Sequence, residues 1–174
     1  MKKFLIIGNV NAVSYKEVFP LIKDNKIWNG VTLFCGKMPY FKVDKDTDVS
    51  TGNHYYDEQG NLYKQVNSIC WFTNLDHKRR HEEIILYKKY NEEEYPKYDN
   101  YDAIEVSKVC DIPMDYEGIM GVPITFLDKY CPEQFEVLGC SAYSDAKYYG
   151  NLPLYVNGNK KYARILIKFK KYDN

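Results

Sequence analysis

Short apolar runs separated by polar turns dominate the pattern of this chain. Phe4 to Ile7 is a continuous apolar run closed by Gly8-Asn9, which predicts a strand buried on both faces of a parallel sheet. Ser14 to Glu17 then has the Ser-x-x-Glu form of a helix capping box. Because Pro20 interrupts the apolar stripe that follows, we expect two short helical pieces or a kink, ending near residues 24–25. Strand, turn and helix together make half of a βαβ unit.

The rest of the chain has many strand signals and few helical ones. Gly60-Asn61 and Asn157-Gly158 are turn signals of hairpins, and residues 44–53 read as a solvated loop. Residues 84–90 fit either a strand or a helix. Short helices are predicted after Asn91, from Ile124 to Tyr130 with Thr125 as N-cap, and after Pro132. Strands are predicted at Val31 to Phe34, Tyr40 to Val43, His54 to Tyr56, Leu62 to Lys64, Ile69 to Phe72, Ala103 to Val106, Phe135 to Leu138 and Tyr162 to Phe169.

Composition and length restrict the possible classes of protein. The 174 residues fit one domain, residues 1–174, because no repeat or flexible linker divides them. Lys and Arg number 24, equal to Asp and Glu, so a contact with DNA must be a local patch. No apolar run approaches a membrane span or a signal peptide, and the five cysteines lack a Cys-x-x-Cys pattern. We therefore expect a soluble, cytoplasmic protein without a membrane partner, in which Cys35 and Cys70 are reduced core residues.

A dense basic run follows the predicted strand Ile69 to Phe72. After Thr73-Asn74 come the two histidines, the lysine and the two arginines of residues 77–81. Guanidinium groups at the end of a strand can face phosphates or base edges, which makes Asn74, His77, Lys78, Arg79 and Arg80 candidate DNA-binding residues. A solvated loop balanced by neighbouring carboxylates is the alternative interpretation. No metal site is expected, because the His-Glu-x-x-His pattern of a zinc protease is absent.

Asn9, Asn11 and Ser14 come directly after the first predicted strand. Ligands of open α/β sheets bind beyond the carboxyl ends of strands, so Asn9 and Asn11 are candidates for approaching a cofactor or a target base. The same side chains are also typical caps of a turn and a helix. The segment lacks the glycine spacing of a dinucleotide site and the Gly-Lys-Ser/Thr ending of a phosphate loop.

Four long stretches carry a family resemblance. They are KKFLIIGNVNAVSYKEVFPLIK (2–23), WFTNLDHKRRHEE (71–83), YPKYDNYDAIEV (95–106) and GIMGVPITFLDKYCPEQFEVLG (118–139). In this order they resemble the adenine-specific DNA methyltransferases of the EcoRI type, over most of the chain. The resemblance implies an α/β fold, namely the second half of a Rossmann-like S-adenosylmethionine-dependent methyltransferase sheet with irregular β-rich insertions. It also implies double-stranded DNA as partner and S-adenosyl-L-methionine as cofactor of the full-length family.

The chain departs from that family in its catalytic motif. The Asn/Asp-Pro-Pro-Phe/Tyr motif holds the flipped adenine in line with the cofactor methyl group. All seven prolines here are isolated, so no Pro-Pro exists, and the glycine-rich cofactor loop is missing as well. In the family pattern both lie before the segment that corresponds to Phe4. The chain therefore resembles the C-terminal part of such an enzyme, and no catalytic residue is assigned to it.

These observations lead to two functional expectations. The first is the C-terminal segment of a site-specific DNA adenine-N6 methyltransferase of a restriction–modification system, contributing scaffold and DNA binding, inactive alone and binding no cofactor alone. The second is a non-catalytic DNA-binding or target-recognition protein. An α/β hydrolase is disfavoured because no Gly-x-Ser-x-Gly occurs. The first expectation also predicts an open, apolar edge at Phe4 to Ile7, covered by another copy of the chain, by a missing N-terminal half or by rearrangement.

Overall fold

The first strand belongs to a small sheet in which the chain completes a βαβ unit. The computed structural model describes residues 2–31, 40–65, 68–141 and 152–170. Strands β1 (Leu5–Asn9) and β2 (Trp28–Asn29) both pair antiparallel with β6 (Ile69–Thr73), which lies between them. β1 and β2 therefore run in the same direction, and two short helices connect them.

β1 differs from the buried parallel strand that its sequence predicts. Among the described residues its sheet neighbour is the antiparallel β6, on one side only. Leu5, Ile6 and Ile7 are 53%, 55% and 53% exposed, respectively. An apolar run indicates that a strand has apolar surroundings, but it does not say which part of a protein supplies them, and no described residue covers β1 completely.

The connection between β1 and β2 shows why the predicted capping box does not form. The Asn9 side chain accepts a hydrogen bond from the Asn11 amide at 2.8 Å and caps a 3-10 helix, Val10–Ser14. The Ser14 hydroxyl donates to the Asn11 carbonyl at 2.8 Å, so it does not cap the next helix. Helix α1 (Phe19–Lys23) has its proline in the first turn, where the missing N–H costs nothing. Of the two helical pieces predicted after Ser14, the structure has one, α1, which ends beside the predicted residues 24–25; the other short helix, Val10–Ser14, lies before the predicted capping box.

A five-stranded mixed sheet forms most of the core. Its strands are β7 (Lys97–Tyr98), β8 (Tyr101–Glu105), β9 (Met120–Pro123), β10 (Phe135–Cys140) and β13 (Arg164–Phe169). Their order in the sheet is β10-β13-β9-β8-β7, and only β8 and β9 are parallel. One apolar cluster joins this sheet to α1 and β6, and its large, fully buried side chains include Phe19, Phe126, Phe135 and Ile165. The small β1-β6-β2 sheet is thereby held against the core by Cys70 and Phe72, as the apolar pattern of Ile69 to Phe72 predicts.

A third sheet forms the insertion between β2 and β6, and its strands are β3 (Tyr40–Val43), β4 (His54–Tyr56) and β5 (Leu62–Gln65). Their order in the sheet is β3-β5-β4. The predicted hairpin at Gly60-Asn61 is confirmed, since β4 and β5 pair antiparallel across it. The Tyr55 ring stacks on Tyr63 at a centroid distance of 5.0 Å and meets Tyr40 edge-on at 5.1 Å. Of the strand predicted at residues 31–34, all but Val31 lies outside the described residues, as does Cys35.

The three later helix predictions are wrong in detail. Residues 92–94 and 132–134 form turns, and a 3-10 helix, Ile124–Asp128, begins without a side-chain cap from Thr125.

The described chain is β-rich, with mixed sheets and one α-helix of five residues. None of its helices is long and apolar enough to cross a membrane. The remaining elements are the 3-10 helices Lys78–His81 and Val109–Asp111 and the paired strands β11 (Tyr155–Val156) and β12 (Asn159–Lys160).

Candidate nucleic-acid interface

Asn74, the first residue after β6, extends the pairing of β6 with β1. Its side-chain oxygen accepts the Phe4 amide at 2.9 Å, and its amide nitrogen donates to the Lys2 carbonyl at 2.9 Å. The buried Thr73 hydroxyl donates to the Phe4 carbonyl at 2.7 Å. These bonds hold the start of β1 in register, so the amide of Asn74 is already bound within the chain.

Arg80 packs against β2 rather than projecting into solvent. Its guanidinium carbon lies 3.9 Å from the centroid of the Trp28 ring, in cation–π contact. Its Nη2 donates to the Asn25 side chain at 2.8 Å, and the side chain is only 12% exposed. The contacts of Arg80 join the basic run to the segment between α1 and β2.

His77 and Arg79 bind main-chain carbonyls, whereas Lys78 projects outward. His77 Nε2 lies 3.0 Å from the Asn29 carbonyl oxygen, and Arg79 Nη1 donates to the Val31 carbonyl at 2.7 Å. Arg79 is half-buried and keeps further N–H donors, while Lys78 is exposed and contacts no polar partner in the described part of the chain. Of the five predicted residues, Lys78 and Arg79 therefore have donors to offer a ligand.

A buried polar cluster lies beneath this run. The Asn29 amide nitrogen lies 3.3 Å from Asp128 Oδ1, and three buried atoms around it have no hydrogen-bond partner among the described residues: Asn29 Oδ1, His77 Nδ1 and Arg80 Nε. Burial, and next the charge of Asp128, raise the pKa of the Cys70 thiol to about 12. Cys70 therefore stays protonated and acts as a core residue, as its sequence context predicts.

His81 ends the run between two carboxylates. Its Nε2 lies 2.8 Å from Asp76 Oδ1 and its Nδ1 lies 2.9 Å from Glu133 Oε1. These hydrogen bonds, first that of Asp76 and then that of Glu133, raise the pKa of His81. The sequence gives no signal for Glu133, because it lies far from His81 along the chain. Across the described ranges, no three His, Cys, Asp or Glu side chains are arranged to hold a metal ion.

Asn9 and Asn11 lie at the other end of β1. Asn9 is the 3-10 helix cap, whereas the exposed Asn11 lines a cavity of about 360 Å³ together with Ser14, Ile124 and Arg164. Sequence reasoning missed Arg164, whose only signal is a single arginine in the apolar β13 pattern. The Asn11 side chain forms no hydrogen bond with a described residue, so its amide is available at the cavity.

The two predicted groups of site residues lie at opposite ends of the β1-β6-β2 sheet. Asn9 pairs with Ile69 at the start of β6, and Asn74 follows its end. From Ile69 to Asn74 the chain makes five steps of roughly 3.3 Å each, so the two ends lie about 16 Å apart. The structure therefore does not bring the basic run and the two asparagines into one pocket. A ligand that contacts both must be long.

One face of this sheet is open and apolar beside β1. Leu5 and Ile7 lie on the face of Trp71, next to a cavity of about 270 Å³ whose lining is mainly apolar and includes Val31 and Leu75. Val31 is 59% exposed. We call Leu5, Ile7, Val31, Trp71 and Leu75 the open β1 face. Adjoining exposed apolar side chains of this kind are typical of interaction surfaces.

Comparisons with known proteins agree with the family resemblance. The family model of the adenine-specific methyltransferase EcoRI matches residues 1–170. Type II methyltransferase M.EcoRI of Escherichia coli is 51% identical over 98% of this chain and 51% of its own length. M.MgeORF184P of Mycoplasma genitalium is 38% identical over 96% of this chain and 57% of its own length. M.MpnI of Mycoplasma pneumoniae is 35% identical over 96% of this chain and 56% of its own length.

No solved structure matches the chain. The chain spans about half the length of the curated relatives it matches. The match of the family model covers nearly every residue, including the basic run and both asparagines. The chain belongs to the EcoRI family of adenine-specific methyltransferases.

Proposed function

We propose that this chain is the C-terminal segment of a site-specific DNA adenine-N6 methyltransferase of a restriction–modification system. It provides scaffold and DNA binding, and it needs a second polypeptide part for methyl transfer. In this proposal the β1-β6-β2 unit is the end of a Rossmann-like sheet, and residues 1–174 fold as one domain. Relatives at 51%, 38% and 35% identity that are type II methyltransferases support the reaction class.

The observation that carries this proposal is the open β1 face. Leu5 and Ile7 are each 53% exposed on a strand to which the described part of the chain gives a neighbour on one side only. An exposed apolar edge strand promotes aggregation, so proteins cover such a strand or pair it with another strand. Because the chain corresponds to about half the length of its relatives, the remaining half is the simplest cover for this edge. A second copy of the chain is the other cover that the edge admits.

The basic run is proposed as the DNA contact, in which some residues bind the phosphate backbone and others hold the run in position. Lys78 and Arg79 present positive charge to the phosphate backbone, since they retain unused donors. Asn74, His77 and Arg80 hold the run in place through β1, β2 and Trp28. Duplex DNA is long enough to contact this end of the sheet and also reach the end at Asn11.

S-adenosyl-L-methionine is proposed as cofactor of the completed enzyme only. It would supply the methyl group for adenine. The residues present fit a partial contribution, because Asn11 offers an available amide beside the 360 Å³ cavity while the Asn9 side chain caps the 3-10 helix. The chain has neither the glycine-rich loop nor the Pro-Pro motif of the family, so we expect no measurable cofactor binding by this chain alone.

A methyl-transfer assay tests the proposal. The chain is assayed on unmethylated duplex DNA with labelled S-adenosyl-L-methionine, alone and mixed with the part of M.EcoRI that it does not match. We expect no transfer by the chain alone, and N6-methyladenine in the digested DNA after mixing. Absence of transfer in a mixture in which the two parts bind each other would contradict the proposal.

The same assay addresses the second function, a non-catalytic DNA-binding or target-recognition protein. The intact basic run in a chain without a catalytic motif favours it. This function predicts that the chain binds duplex DNA with a clear sequence preference, and that no added polypeptide produces methyl transfer. DNA binding measured beside the transfer assay therefore separates the two functions.

A further inference from the structure

One face of the β3-β5-β4 sheet carries exposed tyrosine rings that touch one another. Tyr63 on the central strand pairs with Lys42 on one side and with Tyr55 on the other, and Tyr40 lies two residues before Lys42, so all four side chains share this face. The Tyr55 and Tyr63 rings are parallel within 4°, with Tyr40 edge-on to Tyr55. Tyr40 is 41% and Tyr55 46% exposed. We call these four residues the tyrosine face.

The polar groups of the tyrosine face are available to a ligand. Its three hydroxyl groups and the Lys42 ammonium group form no hydrogen bond or ion pair with a described residue. The five carboxylates of residues 40–65 lie in the loop 44–53 and the turn 57–61, so the strands place a cation and no carboxylate on this face. Aromatic rings around a cation suit a nucleic acid, which offers both stacking bases and negative phosphates.

The opposite face of the same sheet is the side that the insertion buries. Leu62 is fully buried there, and the Lys64 ammonium group donates to the Asp48 carbonyl, which ties the loop 44–53 to that face. Phe41 and Tyr56 remain partly exposed at its edges. The sheet therefore has its apolar centre on that side, and the tyrosine face is the side left toward solvent.

The insertion joins the β1-β6-β2 sheet at the end where Asn11 lies. The Ser68 carbonyl, directly before β6, accepts the Val10 amide at 2.9 Å, and Val10 begins the 3-10 helix that contains Asn11. The chain also enters the insertion from the carboxyl end of β2, which runs parallel to β1. Ligands of α/β sheets bind at the carboxyl ends of parallel strands. The tyrosine face thus belongs to the end of the sheet at which the proposed function places the cofactor contact.

We propose that the tyrosine face stacks on DNA bases that lose their partners where the target adenine leaves the duplex, and that Lys42 binds a neighbouring phosphate. This inference rests on the proposed function, because an adenine must leave the base stack before an enzyme can modify it. Aromatic side chains on sheet faces stack on unpaired bases in several nucleic-acid-binding folds. Loss of one such ring lowers the affinity for unpaired DNA about tenfold.

Binding of the intact chain to paired and mismatched DNA tests the stacking. Fluorescence anisotropy compares a fully paired duplex with the same duplex carrying a mismatched adenine at its centre. We expect the parent to bind the mismatched duplex about tenfold more tightly, and Tyr55→Ala to lose most of this preference. Tyr55→Phe should keep the preference, because the ring and not the hydroxyl group stacks.

A tyrosine on the opposite face of the same strand provides the matched control. Tyr56 is 55% exposed on β4, so Tyr56→Ala removes a ring of similar exposure and should keep both affinities. Lys42→Ala should make the salt dependence of binding to the mismatched duplex shallower by about 0.9 in the slope of log affinity against log salt. Circular dichroism of each variant checks that it is folded.

The outcomes separate stacking from other uses of the face. Equal parent affinity for the two duplexes, or a preference that survives in Tyr55→Ala, would overturn the inference. Equal weakening of both duplexes by Tyr55→Ala would overturn it too, since that contact needs no unpaired base. Parent-like binding by a variant that stops methyl transfer in the mixed assay would assign the face to the other half of the enzyme instead. The binding measurements use the chain alone, so the proposed function is judged separately, by transfer in the mixture.

Discussion

Arg164 and Glu105 form a buried ion pair that joins strands β13 and β8. Arg164 Nη2 lies 2.6 Å from Glu105 Oε1, and Nε lies 3.1 Å from each carboxylate oxygen. The two side chains are 12% and 2% exposed, respectively. The Tyr98 hydroxyl also donates to Glu105, and burial raises the pKa of Tyr98, so the hydroxyl stays a donor. Arg164 lines the cavity at Asn11, so this pair fixes one wall of that cavity.

Removal of one partner of this pair is expected to be costly. Glu105→Ala leaves a buried guanidinium without its counter-charge, which lowers the free energy of unfolding by about 3–5 kcal/mol. Urea denaturation measures the loss. Glu136→Ala, at an exposed carboxylate on β10, is the control and is expected to change stability by about 0.5 kcal/mol or less. The double variant Glu105→Leu with Arg164→Met should lose less than Glu105→Ala, and an equal or greater loss would contradict this account.

Local turn chemistry explains why the hairpins are predictable from the sequence. Asn157 and Gly158 have φ angles of 50° and 73°, the left-handed values that a tight hairpin turn needs and that Asn-Gly favours. The strands at β6, β10 and β13 follow for a similar reason, since each apolar run lies against the core. For these elements, residues that are close together in the sequence are enough to predict the secondary structure.

The roles within the basic run are not predictable from its own residues. Arg80 and Lys78 look equivalent in sequence, but Arg80 stacks on Trp28, which comes from a distant part of the chain. In the same way, Phe4 to Ile7 has the pattern of a buried strand, and its partner β6 begins about sixty residues later. Contacts between distant segments determine both the role of Arg80 and the exposure of Phe4 to Ile7. The local sequence pattern therefore cannot predict either of them.

Lys78 and Arg79 are the residues whose loss should weaken DNA binding. Lys78→Ala and Arg79→Ala each remove one phosphate contact, so the slope of log affinity against log salt should become shallower by about 0.9 for each. Fluorescence anisotropy with a labelled duplex at several salt concentrations measures both quantities. Lys108→Ala, at another exposed lysine, is the matched control and should keep the parent slope. A parent-like slope for Lys78→Ala would remove that residue from the interface.

Arg80 should act mainly through stability. Arg80→Ala removes the cation–π contact with Trp28 and the hydrogen bond to Asn25, so the free energy of unfolding should fall by about 1–3 kcal/mol. Below the unfolding transition, the salt slope of DNA binding should remain that of the parent. Thermal denaturation and the anisotropy assay give the two numbers. A shallower slope with unchanged stability would show instead that Arg80 contacts phosphate.

The open β1 face should matter for assembly and little for the isolated chain. Ile7 is 53% exposed, so Ile7→Lys should change the free energy of unfolding by about 0.5 kcal/mol or less. The same change places a charge in the proposed contact with the other half of the enzyme, and it should abolish methyl transfer in the mixed assay. Met114→Lys, at an apolar residue that is 52% exposed elsewhere, should retain transfer. Full transfer by Ile7→Lys would exclude this face as the contact.

His81 should make the free energy of unfolding of the chain depend on pH. Its hydrogen bonds to Asp76 and Glu133 raise its pKa above the usual 6.5, so its contribution to stability is complete below pH 6.5 and is lost as pH rises through the folded-state pKa. The bond from His81 lowers the pKa of Asp76, so the carboxylate contribution is lost only in acid. Urea midpoints of the parent should therefore fall as pH increases from 6.5, and those of His81→Asn should vary less over that range. His54→Asn, at a histidine without a described carboxylate partner, should keep the parent dependence, and a parent-like dependence in His81→Asn would assign the pH effect to other groups.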